Sequence, residues 1–243
     1  MTEITDGSRI RDRLGKLLNE KLMAAWSATA LVLLIAGIVL WAGNKTGSIP
    51  LSLGGIAVAW ALLRTQMWLQ RLRWRDFGLK KPKSWIKTLG FAVVGTIGFH
   101  ILINLILGPL VKRITGMPVD ASQFDILRGN ISALIIGLVI VWTLAAFGEE
   151  MVFRGYVMHT LARPFKNKIM GWVVAVTATS ILFGLGHTYQ GITGVILTGI
   201  IGLAYALVFF MSRRSLWVPI LIHGLYDTSA FLIIFFNLDK GLL

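Results

Sequence analysis

The chain has 243 residues, of which 56% are hydrophobic and 14% are charged. A soluble domain is typically about 45–50% apolar and about 25% charged, so the composition excludes an ordinary soluble protein and indicates a membrane protein. The net charge is +13. Nucleic-acid binding would require a polar domain with basic residues interleaved with aromatic ones, and the chain has no such stretch. We therefore attribute the charge to loop residues that set the membrane topology. Cysteine is absent, which excludes disulfides and thiolate chemistry.

Apolar segments divide the chain into seven predicted membrane helices. A helix that spans the bilayer needs about 20 mostly apolar residues. The predicted spans lie at roughly 24–43, 50–70, 89–111, 131–161, 170–187, 191–211 and 218–236. The sequence therefore predicts a single all-α, polytopic transmembrane helix bundle over residues 1–243, with eight spans if the long fourth one contains two. The motifs described below lie in a core at 131–236.

Basic residues in the loops predict the orientation. Loops on one side carry five, seven, three and two Lys/Arg, and those on the other carry one, three, none and one. By the positive-inside rule, we expect a cytoplasmic N-terminus and a C-terminus on the far side of a plasma membrane. The basic stretch 71–87 is expected to lie at the membrane surface, with Trp74, Phe77 and Trp85 as interfacial anchors.

Two adjacent acids lie deep in the fourth apolar span. Side chains of Glu149 and Glu150 project about 100° apart on a helix, so only one can point squarely into a given site. Glu150 and Arg154 stand four residues apart and can form an ion pair within the helix. We therefore predict that Glu149, which shares a face with Phe153, is the carboxylate available for chemistry, because charge inside a membrane tends to mark function.

Histidines end or interrupt two later spans. His187 closes the fifth span, and His223 shares a helix face with Asp227, which can orient the imidazole, bind a metal or help to bind an oxyanion. His100 and His159 have no such partners, and we interpret both as satisfied or interfacial histidines. We predict one buried site assembled from the fourth, fifth and seventh spans.

The depths of these residues predict where the site opens. Counted from a turn near 164–168, Glu149 is about 22 Å and His187 about 28 Å along their helices, whereas His223 is only about 8 Å into its own. They meet only if the hairpin between spans four and five projects about 15–20 Å beyond the membrane. A fourth span of about 46 Å would allow this, so the site is expected to open towards the cytoplasm.

Three ordered motifs resemble those of one protein family. The chain has EEMVFRG at 149–155, FGLGH at 183–187 and HGLYD at 223–227, which match the patterns EExxxR, FxxxH and HxxxN/D. In these motifs the chain resembles the CAAX-processing and bacteriocin-processing (CPBP) family, also called the Abi or type II CAAX prenyl endopeptidase group. The resemblance covers 149–227. It implies an intramembrane protease that cleaves a membrane-presented, in some members prenylated, peptide.

The resemblance also implies residue roles. Glu149 would activate the attacking water with help from His187, the His and Asp of the third motif would stabilise the oxyanion, and Glu150 with Arg154 would hold the site together. Asp227 stands where many members have Asn. Because an anionic side chain is a poorer oxyanion donor, this difference favours a role in orienting the histidine or binding a metal.

The chemistry agrees with this reading and leaves the metal open. Peptide hydrolysis needs a base for water, a proton donor for the leaving amine and a donor for the oxyanion. Glu149, His187 and His223 can supply these functions or bind one zinc ion as a His₂Glu set, although the chain has no HExxH motif. The expected partners are a peptide substrate and the lipid bilayer, with no nucleic acid. A proton-coupled transporter, or a non-catalytic membrane scaffold or immunity protein, is the alternative.

Overall fold

The computed structural model describes residues 72–241 and, before them, residues 58, 60–61, 63–65 and 67–68. These residues contain helices and turns and no strand, which confirms the predicted all-α class. The predicted span 24–43 lies outside the described residues, and the span 50–70 lies only partly within them. The described part therefore covers all three motifs and the last five predicted spans.

Five helices in the described part are long and apolar enough to cross a membrane. We number them α1 (Trp85–Thr115), α2 (Ile131–Ala162), α3 (Lys168–Leu185), α4 (Gly191–Met211) and α5 (Trp217–Phe235). Their bounds agree with the predicted spans to within about one helical turn. Because α2 is one continuous helix of 32 residues, the fourth span does not divide into two.

Polar side chains begin three of these helices. The side-chain oxygens of Ser84, Asn130 and Asn167 accept hydrogen bonds from backbone N–H groups in the first turns of α1, α2 and α3. Four N–H groups at a helix N-terminus lack partners within the helix, and Ser and Asn are suited to satisfy them. Gly116, with φ +70°, then ends α1 in the left-handed conformation that glycine adopts easily.

Two of the long helices are not regular α-helices throughout. π-helical turns, with hydrogen bonds from residue i to i+5, occur at Ile101–Leu107 in α1 and at Val141–Glu149 and Met151–Val157 in α2. Such turns are rare and occur frequently at functional sites. In α2 the two π-helical stretches meet at Glu149 and Glu150, so the irregularity coincides with the first motif.

Helices α3 and α4 approach each other at small residues. A Cβ on Gly184 would lie 2.5 Å from the Val195 carbonyl oxygen and 3.1 Å from the Gly199 Cα. A Cβ on Gly202 would lie 3.2 Å from the Phe183 Cβ. Small residues let helix backbones approach closely in a membrane, and here they bring α4 against the helix that carries the second motif.

The expected interfacial role of Phe77 is wrong. Its side chain is 4% exposed and packs edge-on against Tyr156 and His159, each with ring centroids 5.7 Å away. The short 3₁₀ helix Trp74–Phe77 ends at Gly78, which has a left-handed φ of +101°, and it packs against α2 through Phe77. Trp85, by contrast, is exposed at the start of α1.

The expected projection of the α2–α3 hairpin is also wrong. Trp172, one turn into α3, packs against Phe210 with ring centroids 5.2 Å apart, and its ring lies 4.6 Å from the Arg214 guanidinium carbon. Because Phe210 and Arg214 lie at the α4–α5 turn, the two turns are at similar levels. The hairpin extends past the α4–α5 turn by roughly one helical turn, about 6 Å, so the motifs meet without the projection of about 15–20 Å beyond the membrane that their depths were expected to require.

Candidate active site

The predicted ion pair between Glu150 and Arg154 is present and buried. The Arg154 Nη1 donates to Glu150 Oε1 at 2.9 Å, and the two side chains are 2% and 0% exposed. Arg154 Nη2 donates to the Gly202 carbonyl oxygen at 2.9 Å, and the guanidinium carbon lies 4.4 Å from the Phe183 ring centroid and 5.2 Å from that of Tyr205. Arg154 thus binds α2, α3 and α4 together at one point.

His223 extends this cluster to α5. Its Nδ1 lies 3.1 Å from Glu150 Oε1 and its Nε2 lies 3.3 Å from Asp227 Oδ2. The imidazole is buried and stacks on the Tyr205 ring at a centroid distance of 4.9 Å. The sequence predicted the contact with Asp227 from its spacing. It did not predict the contact with Glu150, because the two residues are 73 positions apart and no local pattern relates them.

His187 lies directly after α3, and one of its ring nitrogens is hydrogen-bonded to the backbone. Its Nδ1 is 2.7 Å from the Phe183 carbonyl oxygen. Because a carbonyl oxygen only accepts hydrogen bonds, the Nδ1 carries the proton in this contact. In the neutral imidazole the Nε2 then carries the lone pair. His187 is half-buried, so its Nε2 is suited to accept a proton or a hydrogen bond from water.

Glu149 differs from its neighbour Glu150 in having no ion-pair partner among the residues that the structure describes. Its Oε2 is buried without a hydrogen-bond partner, as is that of Glu150, but Glu150 also has a paired Oε1. The carboxylate lies within electrostatic range of both His187 and His223. An unpartnered carboxylate oxygen in an apolar interior is costly, which is typical of a group kept for function. Its role as the catalytic base stays a prediction.

Phe183 contacts residues of all three motifs. The Phe183 ring lies 5.2 Å from Phe153, 5.0 Å from His187 and 6.2 Å from His223, measured between ring centroids. It also lies under the Arg154 guanidinium. The polar residues therefore form a column along the helices around one aromatic side chain, which is why a projecting hairpin is not needed to bring them together.

The predicted metal ligands do not have the arrangement of a metal site. Both ring nitrogens of His223 face carboxylate oxygens, so neither offers a free lone pair to an ion. Within residues 72–241 no group of three or more His, Asp or Glu side chains is placed to hold a metal. A zinc ion bound by Glu149, His187 and His223 would require His223 to release one carboxylate. The residues as arranged do not fit the ion.

The other two membrane histidines are satisfied, as predicted. His159 Nδ1 donates to the Gly155 carbonyl oxygen at 2.6 Å. His100 lies between α1 and α5, with its Nε2 2.7 Å from Ser229 Oγ and its Nδ1 2.9 Å from Asn104 Nδ2. Both histidines have local structural contacts and lie outside the column around Phe183.

Sequence reasoning missed Tyr189. This residue follows His187 by two positions in the short 3₁₀ helix Thr188–Gln190. Its ring centroid is 5.6 Å from that of His187, and its hydroxyl lies within electrostatic range of Glu149. The sequence does show a polar aromatic residue just after the second motif. Its position could not be predicted, because it lies outside a regular helix.

Comparisons with known proteins agree with the motifs. Residues 131–229 match the family described as Rce1-like, type II CAAX prenyl endopeptidase. The chain is 28% identical over 164 residues to the membrane-embedded CAAX protease MroQ of Staphylococcus aureus (strain USA300), a match that covers 66% of this chain and 62% of that protein. No solved structure matches. The three ordered motifs cluster between α2, α3 and α5, and both comparisons show similarity to CAAX proteases, the family match over the part of the chain that carries these motifs.

Proposed function

We propose that this protein is an intramembrane endopeptidase that hydrolyses a membrane-presented peptide with water activated by Glu149 and His187. One observation carries the proposal: of two adjacent glutamates, one is committed to other side chains and the other is not. Glu150 Oε1 contacts Arg154 and His223, whereas no hydrogen bond or ion pair joins the partly buried Glu149 to a residue that the structure describes. The free carboxylate lies within electrostatic range of His187, whose Nε2 is available.

The chemistry follows from two acceptors that share one water. A water molecule between the Glu149 carboxylate and the His187 Nε2 donates a hydrogen to each, which directs its lone pair at the peptide carbonyl carbon. As the C–O bond forms, Glu149 takes the proton and the carbonyl oxygen becomes an oxyanion. When the tetrahedral intermediate breaks its C–N bond, Glu149 returns that proton to the leaving amine. The products are a carboxylic acid and an amine.

His223 acts on this reaction through charge and position. Carboxylate oxygens of Glu150 and Asp227 face its two nitrogens, an arrangement that suits an imidazole donating from both. A cation held in this position stabilises negative charge that develops near Glu149, since electrostatic effects are strong where water is excluded. Asp227 thereby orients His223.

The substrate is proposed to be a peptide near a membrane anchor, including a prenylated CAAX-type C-terminus. Support comes from a site enclosed by apolar helices and from the similarity to a relative named as a CAAX protease. We further propose a plasma-membrane location with the N-terminus in the cytoplasm, supported by the distribution of basic residues. The expected opening of the site towards the cytoplasm depended on the projecting hairpin and has no support without it.

Replacing Glu149 tests the proposal. The protein is reconstituted in liposomes with a farnesylated CAAX peptide and with the same peptide lacking the lipid, and products are identified by mass spectrometry. Glu149→Gln keeps the shape of the side chain and removes the base, so turnover should fall by about 10²–10⁴-fold. Peptide binding and the melting temperature should be nearly unchanged.

Asp125→Asn is the matched control. It makes the same carboxylate-to-amide change in an exposed residue of the 3₁₀ helix Ser122–Leu127, where Asp125 pairs with Arg128, and it should keep full turnover. Substantial hydrolysis by Glu149→Gln, or no cleavage of either peptide by the unmodified protein, would overturn the proposal. Cleavage of the peptide without the lipid would narrow it to a protease that does not require prenylation.

A further inference from the structure

We propose that Tyr189 is a further catalytic residue, whose hydroxyl donates a hydrogen bond to the scissile carbonyl oxygen as it becomes an oxyanion. The inference rests on the proposed function and identifies a group that neither the three motifs nor the family resemblance includes. Peptide hydrolysis requires a hydrogen-bond donor directed at the oxyanion, and the Tyr189 hydroxyl would supply it.

The motif residues leave this need unmet in the observed arrangement. Both nitrogens of His223 face carboxylates, and Arg154 donates to Glu150 and to the Gly202 carbonyl. Asp227 offers only acceptor oxygens when ionised. The donors of the motif column are thus committed, and the oxyanion requires another group close to Glu149.

Tyr189 has the necessary position. It lies on the same turn as His187, with ring centroids 5.6 Å apart and planes inclined at 44°. The hydroxyl lies within electrostatic range of Glu149 and of Asp227. Tyr189 therefore borders the His187 imidazole that is proposed to position the attacking water.

Neighbouring side chains leave the hydroxyl proton free to donate. Gln190 Nε2 donates to the Tyr189 oxygen at 3.3 Å, and the Gln123 side chain lies within hydrogen-bonding reach of the same oxygen. Gln190 is itself held, because Thr198 Oγ1 donates to its Oε1 at 3.2 Å. Since the phenolic oxygen accepts in the Gln190 contact, its proton is available to an acceptor in the site.

The backbone around Tyr189 is fixed as well. The Asp120 N–H donates to the Gln190 carbonyl oxygen at 3.0 Å, and the Gln190 N–H donates to the His187 carbonyl oxygen at the same distance. The chain then turns into α4 at Gly191, where φ is +72°. A donor held in place before the reaction needs little reorganisation during it, which is the condition for effective oxyanion stabilisation.

The test is Tyr189→Phe in the full chain, with Tyr156→Phe as the matched control. Tyr156 is buried against Phe77, with ring centroids 5.7 Å apart, outside the column around Phe183, so this change deletes the same atom from a tyrosine that packs elsewhere. We expect Tyr189→Phe to lower kcat on the liposome-bound peptide by about 10²–10³-fold with little change in KM, the loss typical of one oxyanion donor. The control should keep its kcat.

Binding of a transition-state mimic separates chemistry from packing. A peptide with a phosphinate in place of the scissile amide should bind Tyr189→Phe more weakly by a factor comparable to the loss in kcat. The amide peptide should bind the Glu149→Gln protein equally well with and without the Tyr189→Phe change. Gln190→Leu, which removes the orienting donor and keeps the hydroxyl, should give a smaller loss of kcat and serves as the second variant.

Full kcat in Tyr189→Phe, or unchanged affinity for the phosphinate, would overturn the inference and leave the proposed protease intact. A KM that rises while kcat stays constant would also overturn it, because that result describes ground-state binding only. Failure of the unmodified protein to cleave any peptide would count against the proposed function instead, so the two failures are distinguishable.

Discussion

Replacing Arg154 by methionine should destabilise the protein more than any similar change at its surface. The substitution keeps a long, flexible side chain in the bundle and removes the charge. Glu150, 0% exposed, would lose its donor at 2.9 Å, and the Gly202 carbonyl would lose its partner. His223 would then be the one side chain still bonded to the Glu150 carboxylate, whose Oε2 already has no partner in the described residues.

The size of the effect follows from stranding a buried charge. Removing one member of a buried ion pair costs about 3–5 kcal/mol, because the remaining charge is left without compensation. For a chain of about 150–250 residues, each kcal/mol lowers Tm by roughly 2–4 °C. We therefore expect Tm to fall by roughly 6–20 °C, with turnover falling as well, since Glu150 also holds His223.

Thermal unfolding of the purified protein in detergent measures this, with Arg128→Met as the control. Arg128 contacts Asp125 and Asp239 at a partly exposed site, where an ion pair contributes about 1 kcal/mol or less. A double-mutant cycle with Glu150→Gln should show that the two changes are not additive. An unchanged Tm for Arg154→Met, combined with lost activity, would refute the structural role and place Arg154 in the chemistry.

Two further predictions concern metal content and topology. Because both nitrogens of His223 face carboxylates, the purified active protein should contain far less than one zinc ion per chain. A chelator should leave its turnover unchanged. One bound zinc ion per chain that is lost and regained together with activity would contradict this prediction. Single cysteines can be introduced into a chain that has none: one near Lys81 should react with an impermeant reagent only after permeabilisation, and one near Asp120 should react in intact cells. The reverse labelling would invert the proposed orientation.

The sequence was informative where local geometry decides the outcome. Apolar length located the last five spans to within about a turn, because crossing a bilayer sets a minimum number of residues. Spacing of four residues predicted the contacts between Glu150 and Arg154 and between His223 and Asp227, since such residues share one helix face. Adjacent acids also predicted that one glutamate would be engaged and the other free.

Contacts between distant segments were not predictable in the same way. The Glu150–His223 contact joins residues 73 positions apart, and nothing in either motif states which helix faces which. Phe77 is buried because the short helix that ends at Gly78 packs against α2, although composition alone suits an interfacial anchor. Tyr189 was missed because its position depends on a short turn. That turn is stabilised by a backbone hydrogen bond from Asp120 to Gln190, which the sequence does not reveal.

The π-helical stretch before the first motif constrains the number of residues between two contacts of α2 with α5. Helix α2 contacts α5 on both sides of Glu149: Trp142 Nε1 donates to Thr228 Oγ1 at 3.1 Å, and Glu150 contacts His223. The number of residues between these two contacts sets their relative rotation. Losing or gaining one residue there would turn one contact away from α5 by about 100°, whatever the amino acids involved. Spacing in this part of the helix is therefore as restrictive as residue identity, and relatives that share the fold should tolerate substitutions between the two contacts far better than insertions or deletions.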